Sequence, residues 1–503
     1  MIGTFGAAAM LCGAAAGGWL LRRQGAWFAV ALVVFMHGVA WWHHVDDAGI
    51  DYAFARSVGS GLGLVAQPGG PIVEGVSNPL WLALLSFSEA MGVSAETASS
   101  AFQLLFSLAC LPAASALAGR AGASASQGAA VQVAIAASGA VFAWTTAGLE
   151  GALFALALLC TAWLAACNRG VAVTVAVVVV AWVRPEGAAA GLVAAAAGSA
   201  LIGRRGPLVW GAAGAVLGVL VLHGVRLWWL DTLWPNTVIA KVSAPIWRRV
   251  ASGGVYALVA SALTGLPFVG LGLWGSPRRT SVAALTVTAG ALGLAVVSGG
   301  DWMRHGRFIA PYLPLLFALA LPSALAQFER RLWVGRVAIW GVGLTGLVVL
   351  GDAVLRPTVP IDNGRVRGEL YQAVLNDACG GGAVATPDVG GVLWFFPTLP
   401  LVDLAGLVDP EASHFVRDPD YWHRRFQADP PGLVDLHHGW AARTGLSDDR
   451  MSSLGYRLLG RRSTNIATPS EPSLWLHSRC STPISRPTSS LIERWVVRGS
   501  GGG

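Results

Sequence analysis

Residues 41–51 read Trp41-Trp42-His43-His44-Val45-Asp46-Asp47-Ala48-Gly49-Ile50-Asp51. They follow an apolar run, 26–43, that is about long enough to cross a bilayer. Two adjacent carboxylates at such an exit need water, a partner or a chemical task. The rest of the chain decides what kind of exit this is. Of 503 residues, 54% are hydrophobic and only 12% charged, with a mean hydropathy of +0.59. A soluble protein carries roughly twice that charge, so the composition excludes a soluble globular chain. The net charge of +7 is no sign of nucleic-acid binding, because it is confined to the first part. Residues 1–351 hold 19 basic and 11 acidic residues, whereas 352–503 hold 15 and 16.

Apolar runs at 2–21, 26–43, 99–118, 129–146, 150–167, 170–183, 187–202, 207–227, 255–275, 281–298, 308–326 and 333–351 predict 11 or 12 transmembrane helices. The short pair 170–183 and 187–202 is expected to be bent or partly buried in protein. Arg22-Arg23 follows the first run instead of preceding it, which argues against a signal peptide. Strict alternation puts Arg22-Arg23, Arg120, Arg169, Arg204-Arg205, Arg278-Arg279 and Arg330-Arg331 on one side, the cytoplasm. This requires segment 78–92, which opens Asn78-Pro79 and contains Glu89, to lie on the outer surface without spanning. Ten of the eleven acids of 1–351 then face outward: Asp46, Asp47, Asp51, Glu74, Glu89, Glu96, Glu150, Glu186, Asp231 and Asp301. A transporter would bury ionisable groups near the midplane between repeats. Acids gathered at one face instead point to a catalytic or binding surface there.

Residues 352–503 contain no span. Short β-like runs, Gly382 to Ala385 and Leu399 to Leu404, alternate with Pro, Gly, Asp and Arg. The expected architecture is therefore mainly α. A polytopic membrane domain, 1–351, carries an outer loop, 44–98, and a small α/β periplasmic domain, 352–503, follows it. Cys12, Cys110, Cys160 and Cys167 lie in spans as small packing residues. Cys379 and Cys480 alone fall in the oxidising compartment, where pairing and free thiols are both open.

The segment Asp46 to Arg56, with Gly61-Leu62-Gly63-Leu64-Val65, Pro68-Gly69-Gly70, Val73-Glu74-Gly75 and Asn78-Pro79-Leu80-Trp81, resembles the first extracytoplasmic loop of GT-C glycosyltransferases. It is most similar to the mycobacterial terminal arabinofuranosyltransferase group. Gly148-Leu149-Glu150, Arg184-Pro185-Glu186-Gly187, Pro235-Asn236-Thr237 with Lys241, and Gly299-Gly300-Asp301-Trp302-Met303 with Arg307-Phe308 resemble that group's motifs in the same order. So do Asp388-Val389-Gly390 and Val402-Asp403 through Asp409. The stretch Gly75-Val76-Ser77-Asn78-Pro79 departs from the arabinosyl pattern. The resemblance implies a polyprenyl-phosphate sugar donor and a cell-envelope glycan acceptor. It also implies an active site on the periplasmic side of the bacterial inner membrane.

The residues suit that chemistry. An acceptor hydroxyl is a poor nucleophile until a carboxylate takes its proton, and Asp46 and Asp47 are the candidates for base and helper. Positive charge develops on the sugar, and nearby anions stabilise it. The phosphate leaves as an anion and needs cations more than a general acid. Lys241, the only lysine among 34 basic residues, with Arg304 and Arg307, is the candidate set. Glu74, Asn78, Glu150, Asn236, Asp301, Trp302 and His305 are candidates for substrate contact. For Asn236, orienting a loop and binding a sugar hydroxyl are both open, while structural pairing is favoured for Arg184 and Glu186. No metal site is assigned, since adjacent His43-His44 seldom fill a coordination shell, though a divalent cation is left open as a cofactor. A single displacement would invert the anomeric centre. A transporter of lipid-linked sugars and a non-catalytic envelope-assembly subunit are the competing readings.

Overall fold

The computed structural model describes residues 24–242, 245–437, 439–461, 472–480 and 483–497. The first predicted span, with Cys12 and Arg22-Arg23, lies outside them. Every other predicted apolar run is helical, but the helices differ in reach. Five are long and apolar enough to cross a membrane: Ala95–Arg120, Gly206–Leu230, Arg278–Ser298, Ala310–Glu329 and Trp333–Leu355. Ala125–Ala137 and Gly139–Thr145 form a sixth span, bent by 63° at the Ser138 break. Gln24–Val39, Gly151–Ala166, Gly170–Val183 and Gly187–Ile202 are apolar but shorter. At 1.5 Å per residue they reach about 21–24 Å, short of a hydrocarbon layer of about 30 Å. The 255–275 run is not one helix. It breaks at Gly265, whose φ of +70° ends Ile246–Leu263 before Leu266–Leu271 begins.

Small residues let the short helices pack without a gap. A Cβ on Gly198 would lie 2.2 Å from the Ala162 carbonyl oxygen, and one on Gly187 would lie 2.0 Å from that of Val180. In lipid, where burial of apolar surface gives little drive, such close backbone approach supplies the packing energy. Segment 78–92 forms the helix Pro79–Ala90, whose 12 residues are too few to span. It packs against the helix Asp46–Gly59, where a Cβ on Gly59 would meet Glu89 Cβ at 2.6 Å.

Beyond Leu355 the helix Asp362–Cys379 leads into a five-stranded sheet: β1 (Val384–Thr386), β2 (Leu401–Asp403), β3 (Leu433–Leu436), β4 (Tyr456–Arg461) and β5 (Ser473–His477). The order is β2-β1-β3-β5-β4. β1 pairs in parallel with β2 and β3, while β5 pairs antiparallel with β3 and β4. Of the two runs read from the sequence as β-like, Leu399 to Leu404 contains β2 and Gly382 to Ala385 overlaps the first two residues of β1. The chain leaves β1 through the helix Gly390–Phe395 to reach β2, then crosses to β3 on the other side. That reversal makes the carboxyl end of β1 a topological switch point of the sheet. Cys379 and Cys480 are disulfide-bonded across 101 residues, a closure worth about 5 kcal/mol in the chain-entropy account.

Candidate active site

The helix Asp46–Gly59 organises the site. Its start is pinned by the Val45–Pro360 bridge and by the Asp46 amide, which donates to the Val359 carbonyl at 2.8 Å. Helical spacing then sends adjacent carboxylates in different directions. Asp47 and Asp51, one turn apart, share one face. Asp46, Gly49, Ala53 and Arg56 share another.

Asp47 Oδ2 accepts from Arg307 Nη1 at 2.9 Å, and the same nitrogen reaches Asp301 Oδ2 at 3.3 Å. Asp301 also takes the Met303 amide at 3.0 Å, which fixes the 299–308 turn. The Arg307 guanidinium lies 5.5 Å from the Trp144 ring centre. Burial opposes the charge on Arg307, but Asp301 and Asp47 outweigh it and raise its pKa. Of the acidic pair, Asp47 is the more open, with 28% of its side chain exposed.

Asp51 lies deeper on the same face and is 4% exposed. The Asn78 amide donates to Asp51 Oδ2 at 2.9 Å and to Glu150 Oε2 at 3.0 Å. Glu150 is paired with Arg184 Nε at 3.0 Å, and Arg184 also reaches Glu186 at 3.3 Å. The Arg184 guanidinium sits against the rings of Phe154 and Phe308. Burial, with the nearby charge of Glu150, raises Asp51 well above the usual carboxylate range. One connected band thus runs from Asp301 through Arg307 and the Asp47–Asp51 face to Glu186.

Asp46 turns away from this band. Its two oxygens accept the backbone amides of Gly390 at 3.2 Å and Gly391 at 3.0 Å, so it binds the turn that follows β1. Burial and the charge of Asp388 push Asp46 up to about 7, against the pull of the Gly391 amide and Arg367. Asp388 behaves oppositely. Although burial works against its charge, Arg367 and His437 hold it below the usual range.

The other sequence candidates divide cleanly. Glu74 forms a buried two-point pair with Arg226, Nε at 2.7 Å and Nη2 at 2.9 Å. The Asn236 amide donates to the carbonyls of Gly406, Leu407 and Asp409, at 2.7, 3.1 and 3.1 Å. Orienting a loop is therefore what Asn236 does in this structure. His305, at a φ of +64°, pairs with Asp352 at 3.0 Å. A small cavity of about 20 Å³ lies beside it, lined by His43, Val45, Trp144, Pro357 and Thr358 among others. Trp302 is 71% exposed, and Arg304 and Lys241 are exposed as well. The structure joins none of these last three to the Arg307 band. Among the described residues no group of three or more His, Cys, Asp or Glu is arranged to hold a metal ion.

Two arginines that pair with acids of the quoted motifs, Arg226 with Glu74 and Arg367 with Asp388, are not among the sequence candidates. Arg226 was hidden inside the apolar run 207–227, although a lone arginine near the end of such a run is itself a signal. Arg367, 21 residues from Asp388 and on a different element, left no signal at all.

Neither a protein-family model nor a curated protein matches this chain by sequence. Solved structures do match in shape. ArnT from Cupriavidus metallidurans bound to undecaprenyl phosphate superposes with a TM-score of 0.53 at 14% identity, covering 91% of this chain and 98% of that one. The chain has the GT-C fold. The Archaeoglobus fulgidus oligosaccharyltransferase in the apo form gives a TM-score of 0.52 at 11% identity, over 93% of this chain and 76% of the other. The arabinofuranosyltransferase AftD from Mycobacteria gives 0.46 at 15% identity, over 92% of this chain. The present chain spans 40% of the length of AftD. At these identities the likeness is one of fold.

Proposed function

We propose that this protein is a polyprenyl-phosphate-sugar-dependent glycosyltransferase of the bacterial inner membrane. It moves a sugar to a cell-envelope glycan acceptor with inversion. The active site and residues 352–503 face the periplasm, and residues 1–351 form the membrane domain. The observation that carries the reading is the Asp47–Arg307–Asp301 group, built on the GT-C fold. It sets a partly exposed carboxylate 2.9 Å from a partly buried guanidinium.

The chemistry follows from that juxtaposition. A carboxylate of the Asp46-Asp47 pair accepts the acceptor hydroxyl proton while the oxygen attacks the anomeric carbon. The carboxylates of Asp47 and Asp301 favour the cationic character of the sugar. The bond to the phosphate oxygen breaks, and Arg307 stabilises the departing anion more strongly than the bound diester. Arg304, three residues before Arg307, and Lys241, on the separate helix Asn236–Val242, are exposed and supply further positive charge for the donor phosphate. Trp302, His305, Glu74, Asn78, Glu150 and Asn236 shape or support the substrate cleft. No divalent cation is required by this scheme.

The test is direct. Purified protein in lipid nanodiscs is given a panel of polyprenyl-phosphate pentoses and hexoses, and product linkages are read by mass spectrometry and NMR. The motif resemblance makes arabinofuranose the first sugar to try. A new glycosidic bond of inverted configuration is expected with at least one donor. Movement of lipid-linked sugar between leaflets without bond formation would refute the proposal in favour of a transporter.

A further inference from the structure

Asp46 and Asp47 are adjacent in sequence, yet they meet entirely different surroundings. Asp46 is 7% exposed, and both of its oxygens are occupied by the Gly390 and Gly391 amides. Three turns along the same face, Arg56 donates to the Trp394 carbonyl at 2.8 Å and to the Leu393 carbonyl at 2.9 Å. A carboxylate thus holds the donor end of one short segment, and a guanidinium holds its acceptor end.

Between the two grips the backbones touch. A Cβ on Gly49 would lie 2.4 Å from the Gly390 carbonyl carbon, and one on Gly390 would lie 1.9 Å from the Asp46 carbonyl oxygen. Gly364 closes the other side, where a Cβ would meet Gly391 Cα at 2.4 Å. Trp394 packs edge-on to Tyr52 at 5.4 Å and donates its indole N–H to Glu96 at 3.2 Å. Farther out, Gln67 donates to the Leu399 carbonyl at 2.7 Å. Asp47 takes no part in this contact. It has 28% exposure, and among the described residues Oδ1 has no partner.

We propose that segment 388–396 is the positioning element of the acidic pair, gripped by Asp46 and Arg56, so that Asp47 alone acts as the base. Resting on the glycosyltransferase reading above, this makes Asp46 a positioning residue. Asp46 orients the first turn of its helix, and that turn aims Asp47 at the acceptor proton. The groups facing Asp46 are Asp388 and Arg367 from the sheet side and Asp47 from its own helix. A polar network of this kind is valuable when fully satisfied and costly when half broken.

The experiment uses the full chain in nanodiscs and two readouts. Hydrogen exchange of residues 388–396 reports the grip, and steady-state kinetics with a polyprenyl-phosphate sugar report turnover. Asp46→Asn and Arg56→Ala are each expected to speed exchange in 388–396 at least tenfold. They should lower kcat about three- to tenfold and leave the donor KM within twofold. Arg56→Lys should restore part of both. Asp47→Asn should leave exchange unchanged and lower kcat more than 100-fold. Unchanged exchange in both grip variants would overturn the proposal. So would an Asp46→Asn loss of turnover equal to that of Asp47→Asn with exchange intact. Should Asp46→Asn fail to fold, the Arg56 pair decides alone. The exchange arm needs no sugar, so it still tests the grip if the glycosyltransferase reading fails.

Discussion

Replacing Arg307 with Met is the sharpest test of the proposed chemistry. Met keeps the apolar stem of the side chain but deletes the guanidinium and its charge. In the resting structure Arg307 neutralises Asp47 at 2.9 Å and Asp301 at 3.3 Å. During transfer it faces a phosphate whose negative charge grows as the bond breaks. A unit charge pair at about 4 Å is worth about 4 kcal/mol at an effective dielectric near 20. Arg307 is 14% exposed and Asp47 is 28% exposed, so solvent screens part of this. A working figure of about 2–3 kcal/mol remains, which predicts a kcat lower by roughly 30- to 150-fold. Donor affinity should fall much less, by roughly fivefold or under, because the bound diester carries less charge than the leaving group. Arg307→Lys should recover part of the rate, since an ammonium supplies the charge but not the planar set of donors that leaves the other guanidinium nitrogens for the phosphate. Lys241→Met should also lower kcat more than donor affinity, and an unchanged rate would remove Lys241 from the phosphate site. The assay is single-turnover transfer from labelled donor, with donor binding measured separately. Equal losses in affinity and rate, or an unchanged rate, would show that Arg307 is a structural tie and that the phosphate lies elsewhere.

Three other outcomes follow. Arg226→Met strands Glu74, a buried carboxylate 8% exposed, and should destabilise the protein by roughly 3–5 kcal/mol; adding Glu74→Gln should recover most of that in thermal unfolding, and no recovery would refute the pairing account. Asp46 is pushed up to about 7 by burial, so the folded state holds its proton where the unfolded chain has lost it. The stability of the wild type relative to Asp46→Asn should therefore fall as pH rises from about 4 to about 7 and level off above, and a flat difference in denaturation midpoints across that window would remove the buried titration. Single cysteines introduced near residues 60 and 440, in a background lacking the other thiols, should both react with an impermeant reagent from the periplasm, and protection of either would reverse the orientation.

Several features of this chain were readable without coordinates, and each is local. Hydrophobic runs declare membrane helices, because lipid forces the backbone to satisfy itself within one segment. Acids placed at the breaks between those runs single out those breaks as places where charge needs water or a partner. Val384–Thr386 and Leu401–Asp403 could be read as strands from short runs bounded by Gly and Pro, whereas β3 to β5 were missed. The 3.6-residue period already separates Asp46, Gly49 and Arg56 from Asp47 and Asp51.

Tertiary structure decided the partners. Asp46 binds amides 344 and 345 residues away, Arg307 reaches Asp47 across 260 residues, and Arg226 reaches Glu74 across 152. No periodicity encodes such distances, because an ion pair depends on which side chains the packed helices bring within a few ångströms. The same holds for helix reach. Hydropathy alone counts 187–202 as a span, yet Ala190, Ala194 and Ala197 are fully buried against other helices. Whether an apolar helix meets lipid or protein is settled by its neighbours, since both surroundings are equally free of water.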